Sequence, residues 1–336
     1  MIDVRPSRSV WPRLFCIAGL TRRALRLALW RLMVMLAMIA PSIAVAADKG
    51  FEAYSAGHYT RALKIWRPLA NHGNAVAQFR IGSLYEHGHG VALDREKAVA
   101  WYRRAAVQGH ADAQYNLGNM YDDGHGVESD LGFAMHWLRK AAEQNIASAQ
   151  FNLAMKYHRQ ESVRDYKQAA AWYLRAVEQE HLSAMVNLGV LYMSGLGVAK
   201  DDARAVDLYR IAGSKGHALA QVYLGDMYHW GRGVERDDDK AVVWYREAAE
   251  QGDFQGLLKL AIAYRDGTGV FADSVLAYVF ATHDPKNRRF DLAERGKLAE
   301  QLKERLIDEQ RTEAAELINA WIMSKQSPVT SRTGRT

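Results

Sequence analysis

Between Phe51 and Ala281 the apolar positions recur at intervals of three, four and seven residues. That spacing lines one face of an α-helix; a half-buried strand would alternate every second residue. The pattern also repeats. Ala75-Val76-Ala77-Gln78 returns as Ala111-Asp112-Ala113-Gln114, Ala147-Ser148-Ala149-Gln150 and Ala218-Leu219-Ala220-Gln221, with Leu182–Met185 and Phe254–Leu257 as weaker copies. Each copy continues into an apolar–small pair (Ile81-Gly82, Leu117-Gly118, Leu153-Ala154, Leu188-Gly189, Leu224-Gly225, Leu260-Ala261) and then a tyrosine. The tyrosines are Tyr85, Tyr121, Tyr157, Tyr192, Tyr228 and Tyr264, separated by 36, 36, 35, 36 and 36 residues.

Behind five of these tyrosines comes Gly-x-Gly-Val, at Gly88–Val91, Gly124–Val127, Gly195–Val198, Gly231–Val234 and Gly267–Val270. An aspartate stands nine residues past the tyrosine in the same five copies (Asp94, Asp130, Asp201, Asp237, Asp273). A second helical pattern follows, as in Ala98-x-x-Trp101-Tyr102-x-x-Ala105-Ala106, and Gln108-Gly109, Lys215-Gly216 and Gln251-Gly252 close units. Each part has a physical reading. Small residues let helices approach closely, and the tyrosines and the tryptophan column (66, 101, 137, 172, 244) are expected to fill the space between layers. The glycines supply turn conformations and room for a crossing helix, and the aspartate caps the second helix. One such hairpin cannot bury its apolar face, whereas a stack of them can, so an all-α repeat protein is predicted.

The consensus Ala-x-Ala-Gln-x-x-Leu-Gly-x-x-Tyr-x-x-Gly-x-Gly-Val-x-x-Asp-x-x-x-Ala-x-x-Trp-Tyr-x-x-Ala-Ala-x-x-Gly resembles the Sel-one-like repeat family, relatives of the tetratricopeptide repeats. The resemblance implies a right-handed α/α superhelical solenoid of about six 36-residue repeats across residues 74–281. Two stretches depart from it. The leading unit, 47–73, lacks the glycine loop and resembles a tetratricopeptide cap. The third loop, His158–Asp165, is one residue short and has no glycine. Residues 282–323 are expected to form closing helices (Asp291–Arg305 and Asp308–Ile322), and the polar tail 324–336 to be disordered.

Charge changes the picture at one end only. The chain carries 44 Lys and Arg against 38 Asp and Glu, a formal net charge of +6. Seven of those Arg and one Asp lie in residues 1–46, so the remainder holds 37 of each sign. With that balance no nucleic-acid partner is expected. In residues 1–46 the arginines precede the apolar run Leu32–Ala40 and then Ala44 and Ala46 at the −3 and −1 positions. This is the order of a cleavable secretory signal, with cleavage near Ala46/Ala47 and a periplasmic or secreted product. Nine apolar residues span about 14 Å as a helix against a hydrocarbon core of about 30 Å, so the mature chain is expected to have no transmembrane segment. Cys16, the only cysteine, follows Phe15 where a lipoprotein signal needs a small residue. The mature chain is therefore read as free of cysteine, which excludes disulfides and thiolate chemistry.

Chemistry is sought without success. The Gly-x-Gly-Val loops lack the lysine and the strand–loop–helix context of phosphate cradles. His87, His89 and His125 show no carboxylate–histidine spacing for a metal. Ser-x-x-Lys, Gly-x-Ser-x-Gly and His-Glu-x-x-His are all absent. No enzyme, cofactor or metal is expected, and the remaining reading is a protein-interaction scaffold in the cell envelope. A carbohydrate or peptidoglycan-fragment binder is the alternative, and a hydrolase a more distant one. By analogy with tetratricopeptide grooves, the second, sixth, ninth and thirteenth positions of each first helix would face a protein or peptide partner on the concave side. The last three select Arg80, Asn116, Asn152, Asn187 and Tyr223, then Asn119 and Asp226, then Asp123, Arg159 and Trp230. An asparagine amide pairs with a peptide backbone through both ends, and Trp230 lies off the packing column, as a binding hot spot would.

Overall fold

The structure, a computed structural model, describes residues 48–282 and 292–326. The expected signal segment 1–46 and residues 327–336 of the expected tail lie outside the described residues. Residues 48–55 form α1 and Tyr59–Asn71 form α2. First helices of the repeats are α3 (Ala75–His87), α5 (Ala111–Asp123), α7 (Ala147–Arg159), α9 (Leu182–Ser194), α11 (Ala218–Trp230) and α13 (Phe254–Asp266). Second helices are α4 (Arg95–Val107), α6 (Leu131–Glu143), α8 (Tyr166–Glu178), α10 (Asp202–Ser214), α12 (Asp238–Glu250) and α14 (Ser274–Thr282). The C-terminal pair is α15 (Leu292–Arg305) and α16 (Asp308–Gln326). Among the described residues there is no strand. The chain groups into two compact units that divide between Ala134 and Met135.

The sequence columns become a small set of bonds made repeatedly. Each loop aspartate accepts the amide N–H of the residue two or three places on, as Asp94 does from Lys97 at 2.9 Å and Asp237 from Lys240 at 2.9 Å. Its own N–H donates back to the carbonyl of the tyrosine before the loop, Asp94 to Tyr85 at 2.9 Å and Asp237 to Tyr228 at 3.0 Å. The fixed interval between tyrosine and aspartate is thus a closed turn as well as a cap. The short third loop keeps both bonds: it takes a 3₁₀ turn over Glu161–Val163, and the Asp165 N–H still donates to the Tyr157 carbonyl at 2.9 Å.

The glutamines of the Ala-x-Ala-Gln motif are buried, Gln78, Gln150 and Gln221 being 4%, 1% and 3% exposed. Each donates to a carbonyl near the end of the preceding second helix: Gln78 to Ala70 at 3.0 Å, Gln150 to Ala142 at 3.1 Å, Gln221 to Gly213 at 3.0 Å. Their amide oxygens accept from the closing glutamine of the same unit, Gln108, Gln179 or Gln251, at 2.7–2.8 Å. A buried helix end would otherwise leave carbonyls unpaired, at a cost of about 1–3 kcal/mol each. Outside this ladder, Arg67, Arg103, Arg139 and Arg246 donate to the hydroxyls of Tyr85, Tyr121, Tyr157 and Tyr264.

The tryptophan column is not the centre of the core. Trp101, Trp137, Trp172 and Trp244 are half-buried, and only Trp66 of that column is enclosed. The enclosed aromatic is the next residue: Tyr102, Tyr173 and Tyr209 are fully buried and Tyr245 is 5% exposed. One residue is about 100° of helical rotation, enough to move a ring from the core to its edge. There the tryptophans pack partly against the core while arginines cover their faces, Arg104 over Trp101 and Arg175 over Trp172, both at 4.6 Å.

In the second unit the last repeat is closed by α15 and α16. Leu298, Ala299 and Leu302 pack on Leu258, Ala261, Ala277 and Ala281, while Leu306 and Ala314 pack on Val275 and Val279. Arg295 is 5% exposed and donates to the Ala281 and Phe280 carbonyls at 3.2 and 3.4 Å. The guanidinium therefore serves as the C-terminal cap of α14.

A candidate binding cleft between α11 and α13

Of the ten residues selected from the sequence, those on the first unit are scattered in role. The Arg80 guanidinium lies over the Phe51 and Phe79 rings at 5.0 and 5.8 Å. Asn116 is half-buried and its amide hydrogen-bonds to the Tyr102 hydroxyl. Asn119 is half-buried, and Asp123 is exposed at the end of α5 beside His125, at 4.0 Å. On the second unit Asn152 and Asn187 are half-buried, Asn187 donating to the Ser183 carbonyl one turn back at 2.8 Å, while Arg159 is exposed. The asparagine column is therefore engaged within the protein to a degree that its sequence does not show.

The remaining three converge on α11. Tyr223 packs on Tyr209 with ring centroids 5.2 Å apart. Asp226 Oδ1 accepts from the Tyr245 hydroxyl of α12 and from Lys259 Nζ of α13, both at 2.7 Å. Burial and the Asp226 carboxylate both push the Tyr245 hydroxyl up, so it stays a donor. Trp230, the last residue of α11, is 66% exposed and stands edge-on to His229 at 4.4 Å.

Trp230 and Lys259 border a cleft of about 300 Å³. Ala241 and Val242 of α12 and Ile262 and Ala263 of α13 give it apolar lining, and His229, Asp238, Tyr245, Asp266 and Thr268 complete it. The His229 Nδ1–H donates to Asp238 Oδ1 at 2.6 Å, because a carboxylate only accepts, and Arg236 donates to the other Asp238 oxygen at 2.7 Å. Burial opposes the Asp238 charge, but the bonds from Arg236 and His229 hold its carboxyl below the usual range. Asp266 is likewise lowered, chiefly by its two 2.7 Å bonds from Arg265. Each carboxylate in the cleft is thus matched by a cation within the protein. Balanced charge, apolar lining and an exposed indole suit the reception of an apolar or aromatic group. An apolar cavity of about 150 Å³ already admits a benzene ring.

His229, Asp238, Tyr245 and Asp266 were not selected from the sequence. Asp238 follows the capping Asp237 and reads as one more first-turn acid, and Tyr245 reads as packing. Lys259 and Ile262 do occupy the sixth and ninth columns, so that signal was present. Among the described residues no group of three His, Cys, Asp or Glu is placed to share a metal ion, and no helix is long and apolar enough to cross a membrane.

Comparison with solved structures finds the same architecture. A protective antigen of uropathogenic Escherichia coli strains with an SLR fold superposes with a TM-score of 0.75 at 26% identity over 88% of this chain. The chain spans 65% of that protein's length. A Sel1 repeat protein from Oxalobacter formigenes superposes with a TM-score of 0.62 at 33% identity, covering 76% of this chain and 96% of that one. Comparison with curated proteins finds no match. The Sel1 repeat pattern matches residues 75–110, 111–146, 147–181, 182–217, 218–253 and 255–281. With the pattern covering more than half of its length, the chain belongs to the Sel1 repeat family.

Proposed function

We propose that the mature chain is a non-enzymatic scaffold of the cell envelope that holds a protein partner through the cleft between α11 and α13. Sel1 repeat proteins are generally protein–protein interaction scaffolds. The observation that carries the reading here is Trp230. An indole 66% exposed beside an apolar cleft has the composition of a binding hot spot, and tryptophan is among the residues most enriched there. The matching partner feature is an apolar or aromatic side chain on an extended segment, with the indole as one wall.

An envelope location is supported by the signal-like order of residues 1–46 and by the antigenic character of the uropathogenic relative. Protein purified from its native host should begin at Ala47 or within a few residues of it; N-terminal sequencing that finds Met1 or Ile2 would remove the export reading.

The partner test uses a photo-crosslinking residue at position 230, with position 107 on α4 as an equally exposed control. Crosslinks to an envelope protein are expected from position 230 only. Trp230→Ala should change stability by no more than about 0.5 kcal/mol. It should weaken the recovered complex by about 2 kcal/mol or more, roughly thirtyfold. Normal binding by a normally folded Trp230→Ala protein would exclude this cleft as the binding site. Glycan-dependent quenching of tryptophan fluorescence, with no crosslinked protein, would favour the carbohydrate reading.

A further inference from the structure

Three first helices begin in an unusual way. An N-cap side chain must accept a hydrogen bond from an amide N–H of the first turn, and Ser, Thr, Asp and Asn are the preferred residues. In α3 Asn74 does this, accepting from Ala77 at 2.8 Å, and in α13 Asp253 accepts from Gly256 at 2.9 Å. In α5, α9 and α11 the cap is a histidine: Nδ1 of His110, His181 and His217 accepts from Ala113, Ala184 and Ala220 at 3.4, 3.2 and 3.4 Å. An imidazole nitrogen accepts only when it carries no proton.

We propose that His110, His181 and His217 make the starts of α5, α9 and α11 proton-sensitive, so that mild acid uncaps three repeats together while α3 and α13 keep their caps. Protonation acts in two ways at each site. It turns the Nδ1 acceptor into a donor facing an N–H, and it places a positive charge at the positive end of a helix dipole. All three rings are half-buried, two of them stacked on a phenylalanine: His110 on Phe79 and His181 on Phe151, each with centroids 4.7 Å apart. The charged neighbours differ. His110 faces Asp112, with Oδ2 4.0 Å from Nδ1, and Arg80 from α3. His181 feels His217, and Glu180 beside it is paired with Lys215 at 2.7 Å. His217 feels Asp253 and has the Ser183 hydroxyl 3.3 Å from Nε2. Asp112 and Asp253 favour the imidazolium, but burial is the larger influence and holds all three groups below the ordinary histidine value of 6.5.

The sign follows. The fold favours the neutral ring, so below pH 6.5 the unfolded chain takes up protons that the folded chain refuses. Stability from these caps is complete above pH 6.5 and declines as pH falls through the folded values.

The test compares wild type with His110→Asn/His181→Asn/His217→Asn, which supplies the uncharged cap that Asn74 already provides in α3. Melting temperatures are read between about pH 8 and about pH 5, the range in which histidine changes charge. Amide exchange at Ala113, Ala184 and Ala220 is followed alongside. The expected result is similar stability at the alkaline end, a smaller loss on acidification in the variant, and wild-type protection, taken relative to the intrinsic exchange rate at each pH, that falls at those three amides ahead of Ala77 and Gly256. If the triple variant folds poorly, His217→Asn alone is expected to protect Ala220 and leave Ala113 as in wild type. Coincident melting profiles, or histidine NMR titrations at or above 6.5, would overturn the proposal.

Discussion

Replacing Tyr102 by alanine is expected to cost about 3–5 kcal/mol, the range for removing a large aromatic from a close-packed core. Replacing its neighbour Trp101, the larger side chain, should cost about 1–2 kcal/mol, because a half-buried ring loses only part of its contacts. Tyr102 is fully enclosed, and Gly82 of α3 makes its seat: a Cβ there would stand 2.7 Å from the tyrosine ring. Its hydroxyl donates to Glu86 at 2.5 Å, and burial, reinforced by that carboxylate, pushes the phenol up so that it remains a donor. Truncation leaves a void against a glycine, a site with no side chain to collapse into it. Trp101 by contrast lies at the edge of the core under Arg104. Chemical denaturation of both variants gives the comparison. Each repeat touches mainly its neighbours, so hydrogen exchange should place the Tyr102→Ala loss on α3–α5. Equal losses for the two variants would mean that the core does not run through the tyrosine column.

The two aromatics also show where the sequence was legible and where it was not. Helix existence, length and order follow from periodicity, because a face repeated every three or four residues over thirteen positions has no competing strand reading. The loop aspartates were legible for the same local reason, since a cap acts within its own first turn. Which of two adjacent aromatics turns inward depends on the crossing of the neighbouring helix, and Trp101-Tyr102 carries no local mark of it. The glutamine ladder was visible as recurrent spacing within the chain, but its glutamine–glutamine bonds join residues about 30 positions apart and needed coordinates. Histidine caps were hidden because histidine is a poor prior for that position. The cleft was half legible: Trp230 stood out in its column and Asp226, which bonds the lining residues Tyr245 and Lys259, was in the ninth, whereas Asp238 looked like an ordinary first-turn acid.

Gly233→Ala should destabilise the protein far more than Gly216→Ala, although both glycines have positive φ, +67° and +86°. Alanine in that region costs about 1–2 kcal/mol for the backbone alone, and both variants incur it. The surroundings then separate them. A Cβ on Gly216, just past the end of α10, would meet nothing within 4 Å. On Gly233 it would lie 2.3 Å from the Asp202 carbonyl carbon and oxygen and 2.7 Å from the Ala203 nitrogen, inside the first turn of α10. Backbone cannot swing aside like the end of a long side chain, so the loop must lift from the preceding repeat, at a further cost of about 1–3 kcal/mol. The second glycine of the other loops is seated in the same way: Gly90 on Thr60, Gly126 on Arg95, Gly197 on Tyr166 and Gly269 on Asp238. The motif therefore does two jobs, a left-handed turn and a contact surface between repeats, and the paired variants divide them. Denaturation midpoints should rank wild type above Gly216→Ala and Gly216→Ala above Gly233→Ala. Equal losses would reduce the second glycine to a turn former and leave the repeat contact to side chains alone.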